Sequence, residues 1–205
     1  MTERSRYPYS HDMARVREFD TEAALEAAMS AFRRRGYEGT SIQDLVDATG
    51  IGRGSLYAAF GSKEGLYLAV MDRYREQYAV PLIELLDSGA PARDLIRAVL
   101  VGVVDEVVRD GERLSCLIVS ATTERLPHDP EVAKRVRATT TSLEDALVGL
   151  IGKAQKSGQV TPDRDARDLA RFLLTTVHGL RVMGAINTDR GSMMRVVEVA
   201  LGCLD

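Results

Sequence analysis

Residues 40–63 read TSIQDLVDATGIGRGSLYAAFGSK, and the spacing of their apolar, glycine and hydroxyl residues decides the fold. Thr40-Ser41-Ile42-Gln43 has the form of a capping box, with the Thr40 hydroxyl accepting the Gln43 backbone N–H and Gln43 reaching back. Ile42, Leu45 and Val46 then supply one apolar face of a short helix that should stop at Thr49-Gly50. A second short helix is expected over Gly52 to Phe60, where Leu56 and Phe60 stand four apart and face inward. Gly61-Ser62 breaks it, and Ser62 can cap a third helix running through Leu66, Val70 and Tyr74 toward Tyr78. Pro81 should end or kink that helix.

Two short helices joined by a tight turn make a helix-turn-helix, whose second member lies in the major groove with its N-terminal residues toward base edges. Here those residues are Arg53, Gly54, Ser55 and Tyr57. A guanidinium at Arg53 can pair with guanine O6 and N7. Gly54 lets backbone approach closely, and Ser55 and Tyr57 offer hydroxyls to phosphate or base. Thr40 and Ser41 stand at a helix N-terminus, which favours anions. Lys63 sits in the first turn of a helix, where a cation is unfavourable to the helix itself. A nearby phosphate explains that lysine better than helix stability does.

The surrounding chain is consistent with this reading and excludes several others. Its 205 residues are 45% hydrophobic and 28% charged, the composition of a globular protein with a sizeable core. The net charge is −3, and at first sight this argues against nucleic acid. Its distribution removes the objection. Residues 1–63 hold nine basic and nine acidic side chains, so the deficit lies wholly in the remainder. No apolar run approaches the roughly 20 residues of a membrane helix, and the N-terminus does not read as a signal peptide. Cys116 and Cys203 are too few for a disulfide scaffold, so a reducing cytoplasm is expected. His11, His128 and His178 are scattered, and no catalytic, phosphate-binding or metal-ligand spacing occurs. Neither an enzyme nor a metal or cofactor site is therefore expected.

Outward from the helix-turn-helix, every segment has helical periodicity, so the class is all-α. Residues 1–19 read as a polar arm. Thr21 to Arg35 is a helix with Ala24, Leu25, Ala28, Ala31 and Phe32 along its buried face, ended by Gly36. Later helices are expected over about 92–109, 113–125, 28 residues from the Asp129 cap to Gly158, 165–186 and 192–204. The division expected is arm 1–19, DNA-binding domain 20–66 and regulatory domain 67–205.

The pattern Phe32-x-x-x-Gly36-Tyr37-x-x-Thr40-Ser41-Ile42, Ala48-x-Gly50-Ile51, Gly54-Ser55-Leu56-Tyr57-x-x-Phe60 and Ser62-Lys63-Glu64-x-Leu66 resembles the tetracycline-repressor (TetR/AcrR) family of bacterial regulators. The likeness is strong over about residues 20–70. It is looser through Cys116-Leu117-Ile118-Val119, Pro127-His128-Asp129-Pro130-Glu131-Val132 and Phe172-Leu173-Leu174 to Gly179-Leu180-Arg181, which resemble one C-terminal subtype.

The resemblance implies a homodimer with three N-terminal DNA-binding helices, a small-molecule pocket and a four-helix dimer interface. Carried over by position, it places Arg53, Gly54, Ser55, Tyr57 and Ala59 on the base-reading face, with Thr40, Ser41 and Lys63 on phosphates. Ala59 departs from the polar residue many relatives carry there, which leaves more of the specificity to Arg53.

The implied partners are a palindromic double-stranded operator and a small effector. The effector would shift the helix from Ser62 to Tyr78 and so spoil the match to half-sites about 34–36 Å apart. Candidate pocket residues are Tyr74, Tyr78, Leu82, Val103, Cys116, Val119, Phe172 and Thr175. Candidate dimer residues are Phe172, Thr176, Gly179, Leu180 and Met183 in one helix and Met193, Val197, Ala200 and Leu201 in the next. The competing readings are a helical protein that senses redox state through Cys116, a helical interaction module and a small helical enzyme.

Overall fold

The computed structural model describes residues 19–109 and 115–205. The expected polar arm, apart from Phe19, lies outside the described residues, as does the expected helix start at Arg113. Ten α-helices are described: α1 (Thr21–Arg35), α2 (Ile42–Thr49), α3 (Arg53–Phe60), α4 (Lys63–Tyr74), α5 (Val80–Leu86), α6 (Ala92–Arg109), α7 (Leu117–Glu124), α8 (Pro130–Lys156), α9 (Ala166–Gly184) and α10 (Arg190–Leu201). No strand occurs among the described residues.

Caps set most of these boundaries. Asp20, Ser62, Asp129, Asp165 and Asp189 each accept backbone N–H groups at a helix start. Gly36 (φ 73°) and Gly50 (φ 69°) take the left-handed region that ends α1 and α2.

Two sequence expectations are corrected. The capping box of α2 starts at Ser41, not Thr40. Ser41 Oγ accepts the Asp44 N–H at 3.1 Å, and the Asp44 carboxylate accepts the Ser41 N–H at 2.8 Å. Thr40 is one residue too early and fully buried, and its hydroxyl donates to the Gly36 carbonyl at 2.7 Å. Gln43 instead donates to Asp47.

The second correction concerns Pro81. It does not end the rod begun by α4, which stays helical through to Leu86. Between α4 and α5 the chain makes a π turn, Arg75–Ala79, in which Val80 N–H bonds to the Arg75 carbonyl five residues back. The widened turn carries the helix past a proline that has no N–H to donate.

Two apolar cores result. One is built on Phe32, Leu45, Leu56, Tyr67 and Val70, which close α1–α4 into a head, and it continues into Cys116, Leu117 and Ile118. The other lies among α5, α6, α8, α9 and α10, with Leu100, Val104, Ile151, Leu173 and Leu201 at its centre. α8, the longest helix, serves both: Val132 and Val136 face the first core, Leu147 and Ile151 the second.

Leu45 is wholly buried beneath two short helices. Leu45→Ala should therefore cost about 2–5 kcal/mol, and Ser41→Ala only about 1 kcal/mol through its lost cap. Denaturant unfolding followed by circular dichroism at fixed protein concentration tests the ranking, and equal losses would contradict it.

Candidate nucleic-acid interface and internal cavity

α2 and α3 meet through a turn in which Gly50 N–H bonds the Val46 carbonyl and Thr49 Oγ1 donates to the Leu45 carbonyl. Leu56 is buried against the head core, which turns the opposite side of α3 outward. Arg53, Gly54, Tyr57 and Ala59 are exposed on that side, and Ser55 is half-buried. A Cβ at Gly54 would meet nothing in the chain, so its own packing does not require glycine there. The α3 N-cap, Gly52, gives no side-chain bond, which leaves the first amide N–H groups of α3 without a side-chain partner.

The expected phosphate contacts are placed unequally. Ser41 is exposed, but its N–H and hydroxyl are both engaged by Asp44. These two hydrogen bonds, with Arg35, hold the Asp44 carboxyl below its usual range. Thr40, buried, presents no hydroxyl outward. Lys63 is half-buried with its ammonium 4.2 Å from the Tyr37 ring centroid, and burial lowers its pKa.

Head and body are joined by a polar cluster. Arg33, on the last turn of α1, donates to the Ser115 carbonyl (3.1 Å), to Tyr78 Oη in the π turn (3.4 Å) and to Glu106 Oε1 on α6 (2.9 Å). The other oxygen of Glu106 accepts from Arg181 Nη2 on α9 at 3.1 Å. Arg181 Nη1 in turn lies 3.4 Å from Cys116 Sγ, and Tyr74 Oη lies 3.6 Å from that sulfur. Burial pushes the Cys116 thiol up, but hydrogen bonds from His178 and Tyr74, the charge of Arg181 and the Val119 backbone bring it down to about 6. Burial and the neighbouring sulfur push the Tyr74 phenol well above its ordinary value, so it remains a donor.

Beside this cluster is a cavity of about 730 Å³ between α7, α8 and α9, a size suited to a small molecule. Its walls include Ile118, Val119, Val136, Val182 and Met183, with Thr175 and His178 from α9. His178 also borders a smaller slot of about 80 Å³ in the second core, lined by Leu82, Val103 and Arg181 among others.

Of the expected pocket residues, Val119 and Thr175 line the cavity, and Leu82 and Val103 line the slot. Tyr74 and Cys116 are buried in the polar cluster, while Tyr78 and Phe172 lie on the surface and border neither space. Sequence reading passed over Arg137, Thr140, Thr141 and His178 on the cavity wall, and Glu106 and Arg181 in the cluster. For Arg137, Thr140 and Thr141 the i, i+3 and i+4 spacing on α8 is the available signal, and the other three carry none.

The expected dimer residues are placed unequally. Leu180, Met193, Val197, Ala200 and Leu201 are buried in the subunit's own second core, with Leu180 and Met193 also lining a groove of about 350 Å³ between α9 and α10. Phe172 and Met183 are exposed, and Thr176 and Gly179 are half-buried. The exposed apolar residues that accompany them are Val182, Ile186, Val196 and Val199.

Residues 24–70 match the bacterial regulatory proteins of the tetR family, and residues 91–205 match the C-terminal part of BetI-type transcriptional repressors. The chain belongs to the TetR family of transcriptional regulators. It is 34% identical over 195 residues to YezE of Bacillus subtilis, an uncharacterised HTH-type transcriptional regulator, covering 94% of this chain and 100% of that one. The HTH-type transcriptional repressor ComR of Escherichia coli is 28% identical, covering 91% of this chain and 90% of its own. Among solved structures, a cysteine variant of the TetR-family regulator CifR bound to a 26-bp operator superposes with a TM-score of 0.81 at 32% identity, over 92% of this chain and 99% of that one. TetR-family proteins are ligand-responsive DNA-binding regulators and not enzymes, and they act as dimers. No described helix is long and apolar enough to cross a membrane.

With Cys203→Ser leaving one thiol, ultraviolet absorbance of the thiolate should titrate near pH 6. Arg181→Met should raise that midpoint by about a unit or more. Because the folded value lies below the unfolded one, this group's contribution to stability is complete above pH 9 and lost as pH falls through 6. A midpoint unmoved by Arg181→Met would remove the guanidinium as a cause.

Proposed function

We propose that this protein is a homodimeric repressor in the cytoplasm, released from a palindromic operator when a small molecule fills the cavity between α7, α8 and α9. The observation that carries the DNA-binding part is the exposed outer side of α3, where Arg53, Gly54, Tyr57 and Ala59 stand clear of the head core. Arg53 is its cation and reads guanine, the contact that fits a guanidinium in the major groove. Ser55 and Tyr57 contribute hydroxyls, and Lys63 swings from Tyr37 to a phosphate. Ser41 adds a phosphate contact only by giving up Asp44. Repressor action is supported by the likeness to ComR and to the BetI-type C-terminal part.

The dimer face is formed by the outer sides of α9 and α10. Met183, Ile186 and Val199 are 58%, 75% and 77% exposed, too apolar a stripe to leave facing water. Thr176 and Gly179 allow a partner helix to come close. Effector binding acts through His178, which borders the cavity and bonds Cys116, and from there through Arg181 and Glu106 to Arg33 on α1. Operator and effector then favour different separations of the two α3 helices.

Operators are to be selected from random duplexes with the purified protein. Arg53→Ala should then lose about 1–3 kcal/mol per half-site in a gel-shift assay while unfolding at an unchanged temperature. Unchanged operator affinity would sink the assignment. Val199→Glu together with Ile186→Glu should give monomers by light scattering, and persistent dimers would move the interface elsewhere.

A further inference from the structure

The cavity wall carries its one charged side chain on one edge. Its α7 and α9 surfaces present Ile118, Val119, Val182 and Met183, together with the neutral polar groups of Thr122, Thr123 and Thr175 and the His178 ring. Its polar edge is on α8, where Arg137, Thr140 and Thr141 follow one another at i, i+3 and i+4 and so share one strip of the helix. Arg137 is exposed and has no ion-pair partner among the described residues, whereas Arg135, two residues earlier, is held by both Asp72 and Glu131. No hydrogen bond within the described residues uses the hydroxyls of Thr140, Thr141 or Thr175. Thr122 and Thr123, by contrast, spend their protons on the Ile118 and Val119 carbonyls. The lining includes no carboxylate and no Phe, Tyr or Trp, and its one ring is the His178 imidazole.

These facts discriminate among ligand charges. An ammonium or quaternary ammonium entering here would lose hydration and meet Arg137, with no acidic group and no Phe, Tyr or Trp face to receive it. A carboxylate meets a planar guanidinium and two hydroxyl donors on the same edge. The remainder of the space rewards burial of hydrocarbon.

Resting on the cavity as effector site, we propose that its ligand is an apolar organic carboxylate. Its anionic end is held by Arg137, Thr140 and Thr141, and its hydrocarbon body lies against the α7 and α9 walls. Arg137 is then a specificity-determining residue, and it has no ion-pair partner among the described residues because the ligand supplies one.

Isothermal titration of the full-length protein with decanoate, 1-decanol and decyltrimethylammonium, each kept below its aggregation concentration, tests this. Decanoate should bind about tenfold or more tightly than decanol, the gain of one charge-assisted contact, and the ammonium should bind weakest. Arg137→Gln should bring decanoate down to the level of decanol and leave decanol unchanged, while Arg137→Lys restores part of the preference. Because Arg137 is exposed and unpaired, the unliganded variant should unfold at the wild-type temperature. An ammonium or alcohol that binds as well as the carboxylate overturns the proposal. So does a preference that survives Arg137→Gln, or a failure of all three probes to bind. Operator binding measured on the same preparations separates the two readings. If it is intact while the discrimination fails, only the ligand class falls; if operator binding itself is absent, the regulator reading falls.

Discussion

A single carboxylate, Glu106, stands between two guanidiniums, Arg33 of the DNA-binding head and Arg181 of the body. Neither arginine can lose that partner cheaply. Both side chains are mostly withdrawn from water, and a charge left alone in such a place costs about 3–5 kcal/mol. The head is therefore fastened at its α1 end by an arrangement that tolerates few geometries. Ser115 reinforces it by donating both its N–H and its hydroxyl to the Arg33 carbonyl. A second fastening sits at the other corner, where the Glu124 carboxylate lies against Gly36 and accepts the Glu38 N–H.

Such directional joints suit a protein whose two halves must report to each other. Apolar packing tolerates sliding, but a guanidinium on a carboxylate holds two elements in fixed register. Cys116 lies at the inner end of this arrangement. It owes its ionised character to the donors around it, and its burial keeps it from solvent.

Much of this was legible in the residues. The helix-turn-helix could be read because Gly50, Ser62 and the Leu45, Leu56 and Phe60 spacing are local signals, and local signals survive folding. Thr40 and Ser41 were confused because both are good caps and sit side by side, and only the Asp44 carboxylate decides between them. The α10 stripe is hard to read for a different reason. That helix is apolar on two sides, and periodicity cannot say that Val197 faces the core while Val199 faces outward. Arg33 is one of three consecutive arginines in the last turn of α1, and its partners, 73 and 82 residues away, leave no mark in sequence. The same holds for the cavity, whose walls come from three helices.

The π turn at Arg75–Ala79 carries one further consequence. One extra residue within a helix advances the angular phase of everything after it by about 100°. Along α4 the inward positions are Leu66, Tyr67, Val70, Met71 and Tyr74. Uninterrupted α-periodicity would bring Tyr78 and Leu85 inward next, yet both are exposed, and Ala79 and Leu86 are buried in their place. One continuous rod thus keeps its buried face past an extra residue, because the widened turn takes that residue up in place of a loop. Deleting a single residue of that turn would close it to an ordinary α turn and bring Ala79 and Leu86 to the places that unbroken α-periodicity turns inward, so Leu86 would stay buried. The buried face of this segment therefore tolerates the loss of that one residue, whereas a loss elsewhere along the rod would rotate Leu86 outward.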